Sequence, residues 1–455
     1  MRKLKPYTCT PHYHGKKWID ARLPGKIRDW SYGGLKSVAN DGDGYDAVIH
    51  SLAKLNTKKA WRWPKRRHFF FSDLHGDAQA FAESLVASGG INKTGPMPRD
   101  FKLTEQGKKA NFIIGGDCFD KGPSTLELLR TIHHLISLGA RVRILAGNHD
   151  VRVLLGMIAV DQHKDRYNEH FFIRTGQKII PLLKEIRDDY VTDKEMKAVP
   201  STGECRKRLY PSEGWFDAFP HTAKGYIRPA QIRRELARIQ KKYERFERVC
   251  AKHGMNLRDV YAAVEKWKQL FLEPKGEFNW FFKRMRLGLR SGSLLFVHAG
   301  LDNVIARQLF HGGVKDINRS FRHALKHRPF TFYYGPLCNT NRTTYRDVDH
   351  PLSSHGTRYL RRAGISAVIH GHRNLHHGQR IAMRKSLLNF ECDTSVDRHT
   401  RHHEGIKGKG AGVTIIEPKG HILAISSDYP FAKVFEPAMT LHELKKIRKK
   451  LRRIK

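Results

Sequence analysis

Asn111-Phe112-Ile113-Ile114-Gly115-Gly116-Asp117-Cys118-Phe119-Asp120-Lys121-Gly122 reads as a buried strand, about 110–116, that closes on a glycine pair and delivers Asp117 at its tip. The apolar run is too short for a helix, and glycine lets the backbone turn tightly behind it. Asp117 offers two carboxylate oxygens and is suited to bridge two cations. Four further segments repeat the pattern of a buried run followed by metal-binding or acid-base side chains: Ser72-Asp73-Leu74-His75-Gly76, Gly147-Asn148-His149-Asp150, Val297-His298-Ala299-Gly300 and His370-Gly371-His372. Strand ends that meet at one edge of a packed sheet gather such groups into a single site.

Working outward, strands at 68–72, 110–116 and 141–146 alternate with helices from about 77, over 123–138 and from about 150, which is an α/β architecture. Asp77 is placed to cap the first helix, and Pro123 with Ser124 opens the second, whose Leu128, Leu129, Ile132, Leu135 and Ile136 form an apolar stripe. Strands resume at 293–297, 366–370, 386–391, 412–417 and 421–426, and the last four are expected to build a second sheet packed on the first. Between the two halves, residues 160–289 are charged and helical in pattern, with Ile232, Leu236, Ile239, Tyr243 and Phe246 at three- and four-residue steps. The chain thus divides into an irregular extension (1–64), a first half-core (65–159), an inserted helical cap (160–289), a second half-core (290–430) and a basic amphipathic C-terminal helix (431–455). Asp41-Gly42-Asp43-Gly44-Tyr45-Asp46 lacks the closing glutamate of a calcium loop and reads as a turn, and Thr440 to Glu443 reads as a capping box.

Lysine and arginine total 84 against 44 acidic residues, a formal charge of +40, so the surface should attract nucleic acid, acidic lipid or highly phosphorylated substrates. Charge by itself does not choose among them. Arg233, Arg234, Arg238, Lys241, Lys242, Arg245 and Arg248 of the insert fit a substrate channel, although a solvated helix face with pairs such as Glu244 and Arg248 is the commoner arrangement. The six cysteines, at 9, 118, 205, 250, 338 and 392, include no Cys-x-x-Cys pair, which argues against a disulfide scaffold or a zinc ribbon. Residues 1–10 lack an apolar signal region, and no apolar stretch approaches the roughly 18 residues that span a bilayer. A reducing, cytoplasmic setting is expected.

Phosphoester hydrolysis needs a strong nucleophile, neutralised phosphoryl charge and a proton for the leaving oxygen, and two metal ions supply the first two. Asp73 and His75 are two positions apart and, in an extended segment, share a face and an ion. Asp117 bridges to a second ion completed by Asn148, His298 and His372. His149 is placed to protonate the leaving oxygen, with Asp120 steadying its imidazolium.

In the order and content of these motifs, over about 66–155 and 290–428, the chain resembles the calcineurin-like metallophosphoesterases. Within them it resembles the phosphoprotein phosphatase branch, which holds bacterial and phage protein phosphatases and symmetrical diadenosine tetraphosphate hydrolases. The resemblance implies a four-layer α/β/β/α sandwich with a helical insertion. It also implies two divalent ions, manganese in vitro with iron or zinc as alternatives, held by Asp73, His75, Asp117, Asn148, His298 and His372. His149 and Asp120 match the acid and its partner. The expected reaction is in-line attack by a metal-bridging hydroxide on a phosphoprotein or a dinucleoside polyphosphate. Lys121 stands where the branch has arginine, which turns a bidentate clamp into a point charge, and the branch's later arginine falls on Arg342 or Arg346. Gly371-His372-Arg373-Asn374 lacks the second histidine of the nucleases' Gly-His-x-His. The rival expectation is a nucleic-acid-binding protein, using the basic surface and C-terminal helix, whose core is a scaffold or acts on DNA or RNA ends.

Overall fold

The computed structural model describes residues 9–31, 38–39, 44–57, 61–160 and 164–454. Two sheets face each other. The larger runs Ile27–Asp29, Ala432–Phe435, His421–Ser426, Gly412–Glu417, His68–Phe71, Asn111–Ile114, Arg141–Leu145, Met285–Arg286. The smaller runs Val38–Ala39, Arg380–Arg384, Leu387–Glu391, Ala367–His370, Leu294–Val297, Gly288–Ser291. Phe70, Ile113, Leu145, Phe296, Ile369 and Phe390 fill the space between the sheets. Their chain neighbours Phe69, Phe71, Phe112, Ile114, Leu295 and Val297 point outward, into a cluster shared with the flanking helices. Alternate side chains of these strands therefore serve different layers, and all but Asn111, Arg141 and Arg143 are buried, the pattern of a sheet covered on both faces.

The expected grouping of the last four strands is corrected. Ala367–His370 and Leu387–Glu391 lie in the smaller sheet, but Gly412–Glu417 and His421–Ser426 join the larger one, where Thr414 pairs antiparallel with Phe70. Strands buried on both faces have nearly the same composition in either sheet, so their order is not written in their apolar runs.

Residues 1–64 are less irregular than expected: Ile27–Asp29 extends the larger sheet beside Ala432–Phe435, Val38–Ala39 extends the smaller, and Gly44–Thr57 is a helix. Asp41 to Asp43 of the expected turn lie outside the described residues, and Gly44 to Asp46 open that helix. The C-terminal helix Pro437–Ile454 packs against it, with Leu444 fully buried beside Val48 and Leu52 in the inter-sheet core. Thr440 is inside this helix and not its cap: Glu436 accepts the Met439 amide at 2.6 Å, and Thr440 Oγ1 donates to Asp29 Oδ2 at 2.9 Å. Pro437, with its fixed φ and no N–H to satisfy, starts the helix three residues before Thr440.

Expected caps elsewhere are in place, since Asp77 accepts Ala80 N at 3.1 Å and Ser124 accepts Glu127 N at 2.9 Å. Residues 171–284 supply a run of helices, the longest being Pro229–Lys252, whose Ile232, Ile239 and Phe246 are buried. Among the described residues no helix is long and apolar enough to cross a membrane.

Candidate active site

The loops that follow His68–Phe71, Asn111–Ile114, Arg141–Leu145, Leu294–Val297 and Ala367–His370 converge. Asp73, His75, Asp117, Asp120, Lys121 and His372 all have positive φ, between 44° and 70°. Left-handed backbone costs a non-glycine residue about 1–2 kcal/mol, so the surrounding contacts hold these side chains against local preference. Asp73 and His75 therefore do not share an extended segment, as their spacing had suggested; a tight loop aims each of them. Gly116, with φ of 95°, makes the bend before Asp117. At Gly147 a Cβ would stand 2.1 Å from Asp117 N, so only glycine lets the two loops meet.

Two groups of side chains could each hold an ion, and they share one member. His75, Asp117 and His149 have donor atoms within 4.8 Å of one another, as do Asp117, His298 and His372. Asp117 Oδ2 lies 3.4 Å from His298 Nε2, 3.8 Å from His149 Nε2 and 3.9 Å from His75 Nε2. Asn148 Oδ1 is 3.1 Å from His298 Nε2. Asp73 belongs to neither triad, but its Oδ2 accepts the His372 amide at 2.9 Å. His298 Nδ1 donates to Gly115 O at 2.8 Å and His75 Nδ1 to Phe119 O at 3.2 Å, which turns each Nε2 toward the cluster. His372 is reversed: Nε2 donates to Arg342 O at 3.1 Å, so Nδ1 is its free nitrogen.

The electrostatics suit cations. Burial pushes Asp73 up to about 6 although His298 opposes it, and Asp117 adds to the rise. Burial also pulls His298 down, yet Asp117 and then Asp73 lift it to about 10. Buried carboxylates that draw a proton onto a neighbouring imidazole are the donor set a divalent ion would relieve.

His149 Nδ1 lies 2.8 Å from Asp120 Oδ2, the expected pairing. Burial, and then Arg152, hold His149 down at about 4. Lys121 Nζ lies 2.9 Å from His75 Nε2 and 3.3 Å from Thr400 Oγ1. A cavity of about 280 Å³ opens beside the cluster, with Asn148 and His372 on its wall; Arg342 and Arg346 line it too, so the structure brings both candidate arginines to the same cavity. Burial raises the Cys118 thiol well above its usual range, which leaves it inert as a nucleophile.

Sequence reasoning missed three participants. Arg152 Nη2 reaches Asp120 Oδ2 at 2.6 Å, one helical turn after His149. Asp393 is buried near Asp73 and Lys121, and it stands two residues beyond a strand end just as Asp73 does, a signal that was available. Asp150 ties the loops together: its carboxylate accepts Asp117 N at 2.9 Å, Cys118 N at 2.8 Å, Phe119 N at 3.2 Å and Gly147 N at 3.0 Å. Asp150→Ala leaves these four buried amides without their acceptor. The expected loss is about 3 kcal/mol or more, read as a lower urea midpoint, and a change under about 1 kcal/mol would refute the clamp.

Against known proteins, the sequence model of the calcineurin-like phosphoesterases matches residues 67–373. The chain belongs to the calcineurin-like phosphoesterase family. This phosphoesterase is 30% identical over 104 residues to a symmetrical bis(5'-nucleosyl)-tetraphosphatase of Buchnera aphidicola subsp. Acyrthosiphon pisum, strain Tuc7. The match spans 23% of this chain and 31% of that relative, so the chain covers about a third of its length. The same enzyme of strain 5A is 29% identical over the same shares. Among solved structures, a cold-active protein-tyrosine phosphatase of a Shewanella species aligns at 13% identity and TM-score 0.41, covering 82% of this chain and 80% of that one. A serine/threonine phosphatase of Saccharomyces cerevisiae aligns at 11% identity and TM-score 0.36, covering 86% and 90%. The family is one of hydrolytic enzymes that use divalent metal ions, and the phosphoesterase has clustered donor groups of the right chemistry for them.

Proposed function

We propose that this phosphoesterase is a two-metal phosphatase acting on a phosphoprotein or a dinucleoside polyphosphate. The observation that carries the reading is Asp117, common to two triads of donors that are buried apart from the half-buried His372. Asp73, His75 and Asp117 would hold one ion, and Asp117, Asn148, His298 and His372 the other. When bound, the ions neutralise phosphoryl charge and lower the pKa of a water nucleophile. His149 then supplies what remains, a proton to the leaving oxygen from Nε2. Asp120 orients the ring through Nδ1, and Arg152 Nη2 reaches both Asp120 Oδ2 at 2.6 Å and Nδ1 at 2.8 Å. The pull of burial and Arg152 toward the neutral ring is opposed by the anionic phosphoryl group at the moment of reaction. Lys121 on one side and Arg342 on the other would contact non-bridging oxygens. The tetraphosphatase name of the Buchnera relatives supports the dinucleotide half of the proposal.

Manganese should activate hydrolysis of 4-nitrophenyl phosphate by the chelator-stripped protein. A parallel panel of phosphopeptide, diadenosine tetraphosphate and 5′-phosphorylated oligonucleotide then ranks the substrates. No metal-dependent turnover on any of them would overturn the reading, and turnover confined to the oligonucleotide would replace it with action on nucleic-acid ends.

A further inference from the structure

The cavity beside the cluster carries more positive charge than the cleavage of one phosphate requires. Part of its lining belongs to the inserted cap: helix Pro229–Lys252 brings Arg234 and Arg238 to the cavity that Asn148 and His372 also line. Glu235, between those arginines, is buried and consumed by Arg174, whose Nε donates to its Oε1. Its nearest approach to Arg238 is 3.9 Å, and among the described residues Arg234 has no carboxylate partner. Arg342, on the adjoining loop, is likewise without one; its guanidinium lies 5.3 Å from the Tyr333 ring centroid.

The wall is built and not a chance groove. Arg228 Nη1 donates to Asp347 O at 3.1 Å and Gln231 donates to Val348 O, fastening the start of the cap helix to the loop that follows Arg342. Beneath the arginines, His170 Nε2 meets Tyr334 OH at 3.0 Å, and Tyr334 donates to Glu235 at 3.3 Å. Three guanidiniums around a space this small, with only one distant carboxylate among them and that one already bonded to Arg174, call for a compact ligand with several negative charges. A phosphopeptide brings one phosphate and a long neutral backbone. A condensed phosphate brings adjacent anionic groups in little volume.

We propose that Arg234 and Arg238 form a second anion subsite beyond Arg342, which binds a phosphate linked to the one being cleaved and so selects substrates containing a phosphoanhydride chain. The inference rests on the phosphatase reading above and goes beyond it in assigning specificity to the cap. Arg234 and Arg238 are exposed on the protein side away from the helix stripe, so Arg234→Ala/Arg238→Ala should fold.

The test compares kcat/KM for inorganic tripolyphosphate and for 4-nitrophenyl phosphate in the wild type, this double variant and Arg234→Lys/Arg238→Lys. Losing two charge-assisted contacts should lower the tripolyphosphate value about 100-fold, chiefly through KM, and at least about 30-fold more than the aryl phosphate value. The lysine pair should restore part of the loss. Calorimetry on the metal-stripped protein should show the same weakening for tripolyphosphate binding. Equal losses on both substrates, or unchanged tripolyphosphate binding, overturn the subsite. A wild type that prefers a 5′-phosphorylated oligonucleotide, with that preference lost in the variant, overturns it in favour of nucleic acid. Inactivity of the wild type on every substrate instead marks failure of the phosphatase reading itself.

Discussion

Asp117→Ala is expected to abolish metal retention and turnover together. Its Oδ2 stands within 3.9 Å of three imidazole nitrogens, and its Oδ1 accepts the His149 amide at 2.9 Å. Removing the carboxylate takes one donor from each triad at once and leaves His298 without the charge that most strongly draws a proton to it. Metal assistance supplies several kcal/mol of transition-state stabilisation, so turnover of an aryl phosphate should fall about a thousandfold or more. Elemental analysis after gel filtration should show both ions lost or reduced. A variant that keeps two ions per chain and more than a tenth of its activity would remove Asp117 from the centre.

The second large effect falls on His149→Ala, and it depends on the leaving group. The ring is one residue beyond Asn148 in the first turn of helix Asn148–Ala159, held by Asp120 on the Nδ1 side. Metal binding should survive. A poor leaving group such as an alkoxide needs the proton that Nε2 would donate, and the loss there should reach about 100-fold or more. Nitrophenolate departs without protonation, so the loss on 4-nitrophenyl phosphate should be much smaller. Equal losses on both would exclude the acid role and leave His149 as an ion contact through Nε2.

Both outcomes turn on residues that were legible as strand-end motifs, because each lies within a few positions of a short, largely apolar strand. Asp150 was quoted within such a motif, but its function as a clamp for four amides depends on where the loop after Asn111–Ile114 passes, which is a tertiary fact. Arg152 repeats the lesson, since an arginine three positions after a histidine becomes meaningful only once Asp120 is found beneath it. Arg342 and Arg346 were indistinguishable by spacing. In space, Arg342 has its carbonyl on His372 and its guanidinium by Tyr333, whereas Arg346 is exposed near Asp349.

Local sequence determined the elements and the donor set, because buried runs, glycine turns and polar tips act over a few residues and leave their mark in order along the chain. Tertiary structure alone decided which strands share a sheet, which residues adopt left-handed backbone and which cap arginines face the cavity. Those choices are made by packing between segments hundreds of residues apart, as where Thr414 pairs with Phe70 or His372 meets Asp73. Such contacts depend on the free energy of the whole fold, and short-range pattern carries no record of it.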